Sequence, residues 1–313
     1  MSQIWFITGA SSGFGLDLTL LALQSGHKVI GTVRNASRAS AAVSATKAKG
    51  GEILELDVTK ADSVPVVVEQ ANAIYGGIDV LVNNAGYSLL GAVEDMKYVF
   101  KHLPPPAFTL ELRVKESADW LVINREEEVK LQMETNFFGP FRLIKAFLPT
   151  LRSRGNATIV NISSIAGQDA QPTCGLYAAS KFALEALSEA LSREVAAFNI
   201  SILIVEPGAF RTNFLSAARA TETPLSEPYK GGIVETVLGK FDAAQGKQRG
   251  DPAKAVRRVF EVVTGTGEAG GLKGKILRLP LGPDCVERIE AKMGRLQSDW
   301  DATREVALGT DLS

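Results

Sequence analysis

The sequence predicts an α/β fold, a doubly wound parallel sheet in a single domain spanning 1–313. Three observations carry this expectation. Short β-branched-rich apolar runs recur through the first two-thirds of the chain, amphipathic stretches separate them, and neither a linker nor an internal repeat divides the sequence. A strand covered on both faces loses the polar–apolar alternation of a half-exposed strand, so near-continuous apolar runs joined through helices imply right-handed parallel crossovers.

The first strand is IWFIT (4–8), followed by a glycine-rich turn and a helix over 14–25. HKVIGTV (27–33) and a helix over 36–49 form the next unit, then EILELD (52–57) with a helix over 61–75, then DVLVNN (79–84). A helix over 126–151 leads into ATIVNIS (157–163), and one over 176–198 leads into ISILIVE (200–206). ILRLP (276–280) supplies a last strand, preceded by a helix starting near Pro252. The terminal stretch DCVERIEAKMGRLQSDWDATREVAL reads as a helix with Ile289, Met293, Leu296 and Trp300 at helical spacing, which suits core packing or a partner contact better than chemistry.

Two regions break the rhythm. The segment 96–125 contains Pro104-Pro105-Pro106 where a short connection is the norm. Joining Lys97 to Glu126 restores the helical stretch EDMKEEEVKLQMETNFFGP, so the 28 residues 98–125 read either as a lid or interface insertion or as the translation of a retained intron. The second region, 214–250, is rich in Gly, Pro, Thr and Lys and is expected to be a mobile substrate loop on the ligand side of the sheet.

Composition narrows the function. Thirty-four basic against 35 acidic residues give a net charge of −1, with no basic excess for nucleic acid or an anionic membrane. The N-terminal MSQIWFITGA has no signal-peptide character, and no run of 18 apolar residues suggests a membrane span. Cys174 and Cys285 are too few for a disulfide framework, and His27 and His102 lie in no metal-ligand spacing. The expectation is a metal-free cytoplasmic enzyme.

The glycine-rich turn Thr8-Gly9-Ala10-Ser11-Ser12-Gly13-Phe14-Gly15 lies between the first strand and the first helix. Its glycines permit a tight turn and let backbone N–H groups approach a pyrophosphate at the positive helix end. The second strand ends in Thr32-Val33-Arg34-Asn35, with no carboxylate to hold an adenosine ribose and repel a 2′-phosphate. Arg34 suits charge-assisted pairing with that phosphate, which favours NADP(H) over NAD(H).

Tyr177 and Lys181 stand four apart and so share one face of a helix. An ammonium beside a phenol favours the phenolate, which makes Tyr177 usable as a general acid or base. Ser164 closes the strand ATIVNISS thirteen residues earlier, with Ser163 expected to point the opposite way. Asn136 sits inside LQMETNFFGP, where a mid-helix asparagine is unfavourable by propensity and so implies a specific hydrogen bond.

TGASSGFG, Asp57-Val58, Asn83-Asn84-Ala85-Gly86, Asn136, Ser164, Tyr177-x-x-x-Lys181 and Pro207-Gly208 together resemble the compact form of the short-chain dehydrogenase/reductase family, over roughly residues 3–213. The resemblance implies a Rossmann-like sheet with strand order 3-2-1-4-5-6-7. It implies a cofactor site of Gly9, Ser11, Ser12, Gly13, Phe14, Gly15 and Arg34, with Asp57 and Val58 at the adenine. Asn84, Ala85 and Gly86 would flank the ribose, and Pro207, Gly208 and Thr212 the nicotinamide side. It also implies Tyr177 as acid/base, Lys181 as electrostatic and ribose-binding partner, Ser164 as substrate-oxygen stabiliser, and Asn136 holding a water joined to Lys181. The substrate is expected to be an apolar alcohol, ketone or aldehyde, in a pocket lined by Tyr87, Ile165, Gln168, Cys174, Ala209, Phe210, Phe214 and Leu215. A ketoreductase acting as a homodimer or homotetramer through the helices carrying Asn136 and Tyr177 is the leading reading. A redox-sensing NADP(H)-binding protein without turnover, and an epimerase or dehydratase using the cofactor transiently, are the alternatives.

Overall fold

A computed structural model describes residues 2–96, 127–221 and 224–311, so the segment 98–125 lies outside the described residues. Seven parallel strands form one sheet: β1 Ile4–Ile7, β2 Lys28–Val33, β3 Glu52–Glu55, β4 Val80–Asn83, β5 Ala157–Ile162, β6 Ile200–Pro207 and β7 Arg278–Leu281. Their order is β3-β2-β1-β4-β5-β6-β7. Register is parallel throughout, with Trp5 opposite Val29 on one side and Val80 on the other.

Helices cover both faces. They are α1 Gly13–Gln24, α2 Ser40–Ala48, α3 Ser63–Tyr75, α4 Glu127–Met133, α5 Gly139–Arg154, α6 Gly175–Glu194, α7 Phe214–Ala217, α8 Ile233–Ala244, α9 Pro252–Thr264 and α10 Pro283–Leu308. Alternation along β1 shows how one strand serves two cores. Trp5 and Ile7 pack with Leu18, Ala22, Val259 and Phe260 from α1 and α9. Ile4 and Phe6 pack with Val67, Phe147 and Leu191 from α3, α5 and α6. Trp5 stacks on Phe260 with ring centroids 5.8 Å apart, and Phe6 meets Phe147 at 4.8 Å. Each fully buried side chain of this size contributes about 1.5–3 kcal/mol, so both layers are held through the central strand.

Local chemistry fixes the helix ends. Asp251 caps α9 by accepting from Ala253 N (2.9 Å) and Lys254 N (3.4 Å), with Pro252 as first helical residue. Gly265 then ends α9 with φ of 77°. Among the described residues no helix is long and apolar enough to cross a membrane.

Three expectations are corrected. Several strands stop short of their apolar runs, so Thr8, Asp57-Val58, Asn84 and Ser163-Ser164 lie in turns just beyond the carboxyl edge. The helix expected over 126–151 is interrupted: residues 134–138 form a π-helical turn between α4 and α5. The segment 214–250 is not an extended loop, since it holds α7, a two-residue strand Arg219–Ala220 paired with Leu89–Leu90, and the three-turn helix α8. The terminal helix forms as expected, but only its first turns pack on the domain. Cys285 is buried, whereas Met293, Leu296 and Trp300 are exposed.

Candidate active site

The carboxyl edge of the sheet gathers the expected residues at one end. Gly9 and Gly13 adopt φ of 67° and 53°, the left-handed region that favours glycine. A Cβ at Gly15 would lie 2.3 Å from the Gly9 carbonyl oxygen, so the turn closes only without a side chain there. Asn84 locks this turn to β4: its Nδ2 donates to Thr8 O (2.8 Å) and Gly9 O (3.2 Å). Thr8 Oγ1 accepts from the backbone of Asn84 and Ala85. Ser12 stands at the N-cap of α1 without a capping side-chain bond, and the first turn holds no acidic residue. The open helix end, with Thr212 facing Gly13, forms a cradle suited to a pyrophosphate.

At the adenosine side, Asp57 Oδ1 accepts from Thr59 N (3.0 Å) and Thr59 Oγ1 (2.8 Å), which orients its carboxylate. Val58 is buried against Gly139, where a Cβ would meet it at 2.9 Å. Arg34 is exposed directly after β2. The nearby carboxylate of Glu55 accepts from Ala36 N at 2.6 Å and so is tied to the backbone of the loop that carries Arg34. These residues fit a nicotinamide dinucleotide.

Tyr177 and Lys181 occupy the first two turns of α6, and both are buried. The Ser164 side chain is the polar neighbour of the Tyr177 hydroxyl. Burial pushes the phenol well above its usual range, with the Ser164 hydroxyl acting the other way. Burial likewise pushes the Lys181 ammonium down to about 8, opposed by Glu185. Desolvation thus works against the phenolate that the neighbouring Lys181 is expected to favour. Lys181 Nζ donates to Ile162 O (2.8 Å) and sits 5.8 Å from the Tyr177 ring centroid.

Asn136 occupies the π turn and is buried. Its Nδ2 donates to Tyr87 O and Ser180 Oγ, both at 3.0 Å, and its Oδ1 accepts from Tyr87 N (3.2 Å). Gly86 lies between the two polar groups: a Cβ there would be 3.2 Å from Asn136 Oδ1 and 3.6 Å from Lys181 Nζ. The structure thus brings Asn136, Ser164, Tyr177 and Lys181 to one place.

Sequence reasoning missed the layer beneath. Gln132 is fully buried and brackets Tyr87 and Leu89 by bonds to Tyr87 O and Leu89 N, each 2.7 Å. Ser163 turns away from Ser164 and donates to Glu185 Oε1 at 2.6 Å. Gln168 donates to Glu185 and, at 3.1 Å, to Glu206, while Arg278 Nε lies 3.4 Å from Glu185 and 3.3 Å from Glu206. Burial, and then the neighbouring Glu185, push the Glu206 carboxyl above its usual range. No short spacing signals this cluster, because its members come from four separate segments.

A cavity of 420 Å³ opens above these residues. Leu90, Ile165, Phe210, Phe214, Leu215 and Phe241 give it apolar walls, and Ser164, Tyr177 and Lys181 stand among its lining residues. Cys174 and Ala209 also line it, but Tyr87 and Gln168 do not: their hydrogen-bonding groups are spent on Asn136 and Gln132, and on the two glutamates. Phe241, Ala244 and Gln248 reach the cavity from α8 and the turn after it, which sequence reading left as loop.

Known proteins resemble this chain in sequence and fold. The model of the family described as short chain dehydrogenase matches residues 3–100 and 115–223. The oxidoreductase claN of Passalora fulva is 41% identical over 239 residues, covering 76% of this chain and 95% of that one. A 3-ketodihydrosphingosine reductase of Bacteroides thetaiotaomicron is 38% identical over 236 residues, covering 75% and 74%. The crystal structure of a short-chain dehydrogenase from Streptomyces avermitilis superposes with a TM-score of 0.79 at 34% identity, covering 99% of this chain and 100% of that one.

Proposed function

The chain belongs to the short-chain dehydrogenase family, and we propose that it is an NADP(H)-dependent reductase of apolar ketones or aldehydes, working reversibly on the corresponding alcohols. The observation that carries this reading is that Tyr177, Lys181 one turn behind it and Ser164 line one apolar cavity together.

The glycine turn, Ser11, Ser12, Asn84 and Thr212 would hold the dinucleotide, and Arg34 its 2′-phosphate. Bound there, the dihydronicotinamide supplies the hydride that the carbonyl carbon receives. Ser164 and Tyr177 direct two O–H groups at the substrate oxygen, and Tyr177 gives it the proton that completes the alcohol. Lys181 then stabilises the phenolate left behind and binds the ribose. Asn136 Oδ1, which faces Gly86, would accept from a water that returns the proton. The apolar walls favour a hydrophobic substrate body, and one relative is named a 3-ketodihydrosphingosine reductase.

Assembly through the helices carrying Asn136 and Tyr177, as a homodimer or homotetramer, belongs to the same reading. Phe138, Phe141 and Phe182 are exposed there, and large apolar side chains in such a group favour a partner. NADPH and NADH oxidation across a panel of apolar carbonyls tests the reading, with NADPH preferred and Tyr177→Phe losing turnover while still binding NADPH. A substrate transformed without net NADPH consumption would instead point to an epimerase or dehydratase.

A further inference from the structure

The last helix, α10, leaves the domain. Arg288 and Arg295 tie it to Asp169 (3.0 and 2.6 Å), and Cys285 anchors its first turn. From Met293 to Asp311 every residue is exposed. Residues 293–308 would extend about 24 Å from that point. A helix of that length with so little tertiary support is marginal in water, since most helical stability in proteins comes from packing one face.

That face exists in the sequence of α10. Val286, Ile289, Met293, Leu296, Trp300, Thr303 and Ala307 follow one another at alternating steps of three and four, the seam of a two-stranded coil. Val286, Met293, Leu296 and Trp300 are 45, 63, 53 and 57% exposed, far more than apolar residues of a finished core. Lys292 and Asp299, one heptad apart, flank the seam on one side.

We propose that α10 is a docking surface for a second copy of this chain, pairing antiparallel about a two-fold axis. In that register Met293 packs on Leu296 of the second copy and Ile289 on its Trp300. Lys292 of each chain then meets Asp299 of the other, so the contact is self-complementary in charge as well as shape. The two sheets lie at opposite ends of the seam. This interface is separate from the faces of α5 and α6, and it does not depend on the proposed reaction.

Light scattering on the full chain tests the pairing. Leu296→Glu combined with Trp300→Glu should halve the assembly mass at micromolar concentration while leaving the thermal midpoint of the domain within a few degrees of wild type. Met293→Leu should keep the wild-type mass. Unchanged mass in the double variant, or a wild type that is monomeric throughout, overturns the proposal. Disulfide trapping checks the register: Met293→Cys mixed with Leu296→Cys should cross-link, and efficient trapping of either variant alone would rule out the antiparallel arrangement.

Discussion

Ser163 and Ser164 are adjacent, yet their hydroxyls serve opposite neighbours: Ser163 donates to Glu185 at 2.6 Å and Ser164 meets Tyr177. The turn that presents Ser164 is therefore fastened from behind to the helix that presents Tyr177. Gly167 completes the fastening, since a Cβ there would lie 2.1 Å from Glu185 Oε1. Ser163→Ala leaves a buried carboxylate short of one donor, which costs about 1–3 kcal/mol of stability. Denaturant titration should show that loss. Turnover should fall with NADPH affinity unchanged, because the cofactor turn lies on other strands.

Lys181 makes stability depend on pH in a predictable direction. Its folded-state value of about 8 lies below the ordinary 10.5, so between these values the unfolded chain binds more protons than the folded one. Stability of the cofactor-free protein should therefore rise as pH climbs through that window, by roughly 3 kcal/mol from this group. The penalty is fully present below pH 8. Comparing wild type with Lys181→Met isolates the effect: the variant should be the more stable of the two at neutral pH, and the difference should shrink at high pH.

In the proposed reading, Arg34 selects NADPH over NADH by holding the 2′-phosphate. Loss of a hydrogen bond to a charged group costs about 1.5–3 kcal/mol, or roughly tenfold to a hundredfold in affinity. Arg34→Ala should raise the Kd for NADPH by that amount while leaving NADH nearly unaffected. Equal changes for both would show that Arg34 is only a solvated side chain.

The turn geometry makes Gly15 intolerant of any side chain. Gly15→Ala brings a methyl to 2.3 Å from Gly9 O and 2.4 Å from Asn84 Nδ2, both parts of the locked turn. The thermal midpoint should drop and NADPH binding should weaken together. Gly50→Ala offers the contrast, since it strains a left-handed turn with φ of 79° but meets no atom within 4 Å. It should cost stability and leave cofactor affinity intact.

The sheet was legible because strands buried on both faces write themselves as apolar runs, and Tyr177–Lys181 was legible because a helix turns local spacing into proximity. The strand ends were less so, since Thr8 and Asp57 continue the run in sequence while leaving the ladder in space. Helix α8 was hidden by Gly231-Gly232 before it and Gly239 within it, residues that lower helix propensity. The glutamate cluster was illegible for another reason. Glu185 and Arg278 lie 93 positions apart, and only the folded chain joins them.

The π turn at 134–138 stores information as residue count. Each residue in an ordinary helix advances the next by about 100°, so one surplus residue re-aims everything beyond it. Removing a single residue from this stretch would let α4 and α5 fuse into one regular rod. Either the aim of Asn136 or the seating of Phe147 against Phe6 would then be lost, because one regular helix cannot satisfy both. A deletion far smaller than any change of chemistry would thus uncouple Asn136 from the core.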